Sequence, residues 1–167
     1  MMLRVIPILW RAVRPSRVDD MPAVVNTFWL RKGYEGLTFF GTILAPTQED
    51  AERFNSGYSV LKNHEMIHLR QAQACGDSWL RFYLLYIWYW LKNTMGTVLF
   101  VHWRAHKENH YRNLAYLLNP FEMEAYREMY DLDYLKRCEG GALQWRQYAK
   151  MSLEERLKVY QDNHKRI

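Results

Sequence analysis

Ser59-Val60-Leu61-Lys62-Asn63-His64-Glu65-Met66-Ile67-His68-Leu69-Arg70-Gln71-Ala72 is the stretch on which the fold turns. Leu61, His64, Glu65, His68 and the Gln71–Ala72 pair recur at helical spacing, which predicts a helix from about Ser59. Gly76 closes it, and Asp77 or Ser78 is placed to cap the next helix. Inside the helix, His64-Glu65-Met66-Ile67-His68 matches the pattern H-E-x-x-H. Residues four apart sit one above the other on a helix face, so two imidazoles can each give a nitrogen to one Zn²⁺. Glu65 then points toward the water such an ion activates, where it serves as general base. The alternative reading is a solvated helix that happens to carry two histidines.

Upstream, Val24 to Leu30 and Leu37 to Leu44 (LTFFGTIL) are β-branched and aromatic, and Lys32-Gly33-Tyr34-Glu35-Gly36 between them supplies turn residues. These predict a β-hairpin or two edge strands. Pro46 and Thr47-Gln48-Glu49-Asp50 end the strand region. Downstream, Trp79 to Trp103 is crowded with aromatic and aliphatic residues, broken by Arg81 and Lys92. A membrane span needs roughly 20 predominantly apolar residues. The segment therefore reads as a buried helix ending near Gly96 and a second running from Thr97 toward Leu118, with peripheral membrane contact through 79–103 left open.

Asn119-Pro120-Phe121-Glu122 predicts another helix start, with Asn as N-cap, Pro in the first turn and Glu three residues on as a capping box. This helix is expected to run to about Cys138, before Gly140-Gly141. Two short amphipathic helices follow, the second opening at Ser152 with Glu155 three on, and Asp162 to Ile167 reads as a polar tail. The expected class is α+β, mostly helical, with a small N-terminal β element beside the histidine helix, as one domain over 1–167.

Composition narrows the function. Hydrophobic residues make up 49% and aromatics 16% of 167 residues, which excludes a disordered chain. The net charge of +5, from 23 Lys+Arg against 18 Asp+Glu, is mild, and no dense basic run or aromatic RNA-binding signature accompanies it. No nucleic-acid partner is expected. Cys75 and Cys138 make no disulfide framework and are read as reduced thiols. The N-terminus lacks the length and cleavage site of a signal peptide, so the expected location is cytoplasmic, with membrane association open.

A catalytic zinc site needs a third protein ligand. The candidate lies in Phe121-Glu122-Met123-Glu124-Ala125-Tyr126. Together with His64-Glu65-Met66-Ile67-His68, this segment resembles the gluzincin, thermolysin-like metallopeptidases. In that group a second helix offers a Glu, then two residues, then a small residue and an Asp. Glu122 and Ala125 match, and Tyr126 stands where the family has the Asp that orients a ligand histidine. The resemblance covers two short motifs. It implies a zincin-like fold, Zn²⁺ held by His64, His68 and Glu122, peptide hydrolysis with Glu65 as base, and an extended peptide substrate along Leu37–Leu44. Glu124 is the rival ligand, and either acid also suits a helix first turn without any metal. Tyr126 and Tyr130, with Tyr134 behind them, are candidates for orienting a ligand or stabilising an oxyanion. His102, His106 and His110 fall four apart, but Arg104, Lys107 and Arg112 flank them, so they are read as a solvated face. The alternatives to a peptidase are a non-catalytic metal-binding protein and a membrane-surface helical protein.

Overall fold

The structure is a computed structural model that describes residues 14–26, 36–57, 59–97, 111–138 and 141–164. It is mostly helical, with one three-stranded sheet. Strands β1 (Ala23–Val25), β2 (Leu37–Phe39) and β3 (Thr42–Ala45) lie in the order β1-β3-β2. Helices α1 (Gln48–Asn55), α2 (Val60–Ala74), α3 (Trp79–Gly96), α4 (Tyr111–Leu117), α5 (Pro120–Glu128), α6 (Tyr134–Arg137), α7 (Trp145–Lys150) and α8 (Leu153–His164) follow. The chain divides into two compact units, Met1–Phe82 with Glu128–Ala142 and Tyr83–Arg127 with Leu143–Ile167.

In the first unit the sheet differs from the sequence expectation. LTFFGTIL is not one strand. It is itself a hairpin, with β2 antiparallel to β3 and Leu37 facing Leu44. The two-residue turn is Phe40-Gly41, with φ of 45° and 78°. Positive φ at both central residues matches the right-handed twist of the flanking strands. The partner of β1 is β3, in parallel register with Ala23 opposite Ile43, so β1 does not form a hairpin with the 37–44 segment. The expected turn at 32–35 and the end of the first strand at 27–30 lie outside the described residues, as do His102, His106 and His110.

Helix α1 was not expected. Thr47 caps it, its hydroxyl accepting the Asp50 N–H at 3.1 Å, so the polar cluster read as a strand terminator is a helix start. α1 lies against β1 and β3, and α2 against β2. Ser59 caps α2 through the Lys62 N–H. Every residue from Lys62 to Leu69 is buried, so α2 is a core helix. Lys62 is buried at no unpaired cost because its ammonium meets Asp20 at 3.0 Å. Ser78 caps α3, accepting from the Arg81 N–H. Cys75 and Cys138 are both buried.

The helix expected to run from Pro120 to Cys138 stops at Glu128. The cause is Asn63 of α2, whose fully buried amide donates to the carbonyls of Met129 at 2.8 Å and Asp131 at 3.1 Å. Carbonyls bonded this way leave the helical ladder without being buried unsatisfied. Gly141 closes the unit against α2. Its φ is +118°, and a Cβ there would stand 2.7 Å from the Arg70 carbonyl oxygen and the Ala74 nitrogen.

In the second unit Phe121 packs against Trp145 at 4.5 Å and stacks on Tyr86 at 6.1 Å. Asn119 precedes α5 as expected, its Oδ1 accepting the Phe121 N–H. The capping box is not formed, because the Asn119 N–H is bonded to the Tyr116 carbonyl and the Glu122 carboxylate accepts from Tyr86. Arg156 reaches from α8 to the Leu118 carbonyl at 2.7 Å, and burial lowers its pKa. The box at Ser152 is formed as expected, with Ser152 and Glu155 each accepting the other's N–H. Of the helix expected over Thr97 to Leu118, the described part is α4. Among the described residues no helix is long and apolar enough to cross a membrane.

Candidate metal centre

α2 projects His64, Glu65 and His68 into the protein, leaving them 5%, 9% and 6% exposed. That burial removes the solvated-helix reading. The two imidazoles stand one turn apart, ring centroids at 4.9 Å and planes at 87°. His68 Nδ1 lies 2.8 Å from Gln71 Oε1. An amide carbonyl only accepts, so Nδ1 is the donor, and in the neutral imidazole this leaves the lone pair on Nε2. This is the tautomer that a ligand histidine needs when it binds through Nε2.

Glu65 is held from the sheet. Side chains alternate across a strand, so β2 exposes Leu37 and buries Thr38. The Thr38 hydroxyl donates to Glu65 Oε2 at 2.5 Å. The carboxylate therefore has a fixed orientation on the helix that carries the histidines.

Glu122 sits in the first turn of α5 and is 2% exposed. Tyr86 of α3 donates its hydroxyl to Glu122 Oε1 at 2.7 Å. Tyr116 completes the surroundings. Burial, then the Glu122 charge, and then Tyr86 and Tyr126 push its phenol pKa far above the ordinary range. Glu124 is also buried, but its Oε1 accepts the Gln144 N–H at 2.8 Å, which engages it at the start of α7. Tyr126 is 41% exposed and meets Tyr116 edge-on at 6.3 Å. Tyr130 is 66% exposed, and Tyr134 is buried with the Arg137 guanidinium 6.0 Å over its ring.

His64, His68 and Glu122 each present one donor atom within 4.8 Å of the other two, and all three side chains are buried. Among the described residues this is the one group of three or more potential ligands so placed, and Glu124 is not part of it. The donors fit a divalent ion. Three ligands at about 2.1 Å from one centre are roughly 3.4 Å apart in tetrahedral geometry, so side-chain movement of at most about 1.4 Å closes the set. Two imidazole nitrogens with one carboxylate oxygen suit zinc and other borderline first-row ions, and the donor set alone does not choose among them.

No protein-family model matches the chain, and no similar protein is found among curated proteins or solved structures.

Sequence reasoning missed four supporting residues: Thr38, Asn63, Gln71 and Tyr86. Gln71 carried a signal, since it lies three residues after His68 on the same helix face. Thr38 and Tyr86 carried none, because their partners are 27 and 36 residues away.

Proposed function

We propose that the chain is a zinc-dependent metallopeptidase of the gluzincin kind. His64, His68 and Glu122 hold the ion and Glu65 serves as general base. The observation that carries the reading is the buried grouping of these three ligands, with Glu65 on the same helix as the histidines. When bound, the ion would supply a Lewis acid toward a peptide carbonyl and lower the pKa of a water toward about 7. The residues do the rest. Gln71 fixes His68 in its coordinating tautomer, and Tyr86 orients the Glu122 carboxylate. Glu65 takes a proton from water and returns it to the leaving amine, with Thr38 setting the direction of its carboxylate. Among the described strands β2 is an outer one and carries Thr38, which holds Glu65, so an extended peptide is expected to lie beside β2. This narrows the substrate strand expected over Leu37–Leu44, because β3 is the central strand.

The test is peptide cleavage by wild-type protein and Glu65→Gln, with metal content measured on both. The expected result is that Glu65→Gln keeps its metal and loses cleavage by about 100-fold or more. Full activity in Glu65→Gln refutes the base assignment. Metal bound by a wild type that cleaves no peptide in a diverse library leaves the chain a non-catalytic metal-binding protein.

A further inference from the structure

α3 has two faces, and the metal-centre reading uses only one. Trp79, Phe82 and Asn93 are buried, and Asn93 fixes that side by donating to the Ala115 carbonyl at 3.1 Å. The other side presents Leu80, Leu84, Ile87, Trp88, Leu91 and Met95, which are 46–65% exposed. They recur at helical spacing over the length of α3, so they form one continuous stripe rather than scattered apolar residues. The 18 residues of α3 include no Asp or Glu. Its two charged residues, Arg81 and Lys92, are exposed and lie seven residues before and four after Trp88, in the same row.

We propose that this face of α3 docks on an anionic membrane surface, lying in the headgroup plane without crossing. Tryptophan beside an aliphatic stripe suits the boundary between headgroup and acyl chain, and Trp90 at 41% exposure adds a second indole at the edge. Lys92 and Arg81 then meet lipid phosphates, helped by a chain of net charge +5. A second copy of the chain fits this face less well. A two-fold pairing of α3 with itself buries the same cations on both sides, and the helix carries no carboxylate to meet them. The proposal is independent of hydrolysis.

The experiment is co-sedimentation of the full chain with phosphatidylcholine vesicles and with phosphatidylcholine–phosphatidylglycerol vesicles, alongside Leu84→Glu/Trp88→Glu and Lys92→Glu. Each replaced side chain is exposed, and circular dichroism checks that both variants keep their helix content. Wild type is expected to bind the anionic vesicles, with its tryptophan emission shifted to the blue. The double variant is expected to lose about tenfold or more in partitioning, since each removed apolar contact approaches that factor. Lys92→Glu is expected to weaken binding to the anionic vesicles alone. The proposal is overturned if wild type fails to bind the anionic vesicles. It is overturned equally if wild type is a dimer in solution that the double variant converts to monomer.

Discussion

Replacing Gln71 with Met tests whether the His68 tautomer governs metal binding. The two side chains are close in volume, and Gln71 is fully buried, so the change removes an acceptor without opening a cavity. In the wild type, Gln71 Oε1 takes the His68 Nδ1 proton at 2.8 Å. Leaving a buried N–H without an acceptor costs about 1–3 kcal/mol. Neutral imidazole escapes that cost by carrying its proton on Nε2 instead, which removes the lone pair a metal needs. Metal affinity should fall by about 10–100-fold, equivalent to about 1.4–2.8 kcal/mol. Competition against a chromophoric zinc chelator gives the affinity, and urea unfolding of the metal-free protein gives the stability. Gln71→Glu keeps an acceptor and should retain wild-type affinity or exceed it. An affinity for Gln71→Met within about twofold of wild type, with the fold intact, refutes the reasoning.

Thr38→Val should leave metal content unchanged and lower the turnover of cleaved peptides by about tenfold, because Glu65 loses the hydroxyl that holds it to β2; equal turnover in single-turnover assays contradicts this. Gly141→Ala should destabilise the protein by about 2 kcal/mol or more, since φ of +118° and a 2.7 Å approach to the Arg70 carbonyl oxygen leave no room for a methyl group; an unchanged urea midpoint is the contrary result. The Tyr116 phenol stays protonated in the folded chain at pH values where an ordinary tyrosine ionises, near 10.0. Above that pH the unfolded state binds fewer protons than the folded one, so stability falls as pH rises. Tyr116→Phe should flatten this alkaline limb, and identical limbs in wild type and variant contradict the assignment.

What was legible in the sequence was local. The start of α2 at Ser59, the histidine pair, the cap of α8 at Ser152 and the end of α3 at Gly96 all depend on residues within a few positions of one another. The choice of Glu122 over Glu124 came from a resemblance to a family motif, and Glu122 is the acid that stands with the histidines. Failures came from partners distant in sequence or from an unusual backbone. The run LTFFGTIL reads as one strand because every residue but Gly41 favours extended structure, yet Phe40 adopts positive φ beside it. Parallel pairing of β1 with β3 joins residues 20 positions apart, as in Ala23 opposite Ile43. α5 ends at Glu128 because of Asn63, about 65 residues earlier, whose type alone gives no hint of that duty. At Glu122 the sequence offered two duties, helix cap and metal ligand. Burial with a Tyr86 hydroxyl on one oxygen favours the second.

The most direct measurement is metal stoichiometry on untagged protein by elemental analysis, for wild type, His64→Ala, Glu122→Gln and Glu124→Gln. Both Gln variants keep the shape and an acceptor oxygen, so each isolates the loss of one carboxylate charge. The expected outcome is one divalent ion per chain in wild type and Glu124→Gln, with little or none in His64→Ala and Glu122→Gln. Full metal content in Glu122→Gln, or its loss in Glu124→Gln alone, contradicts the ligand set on which the functional reading stands.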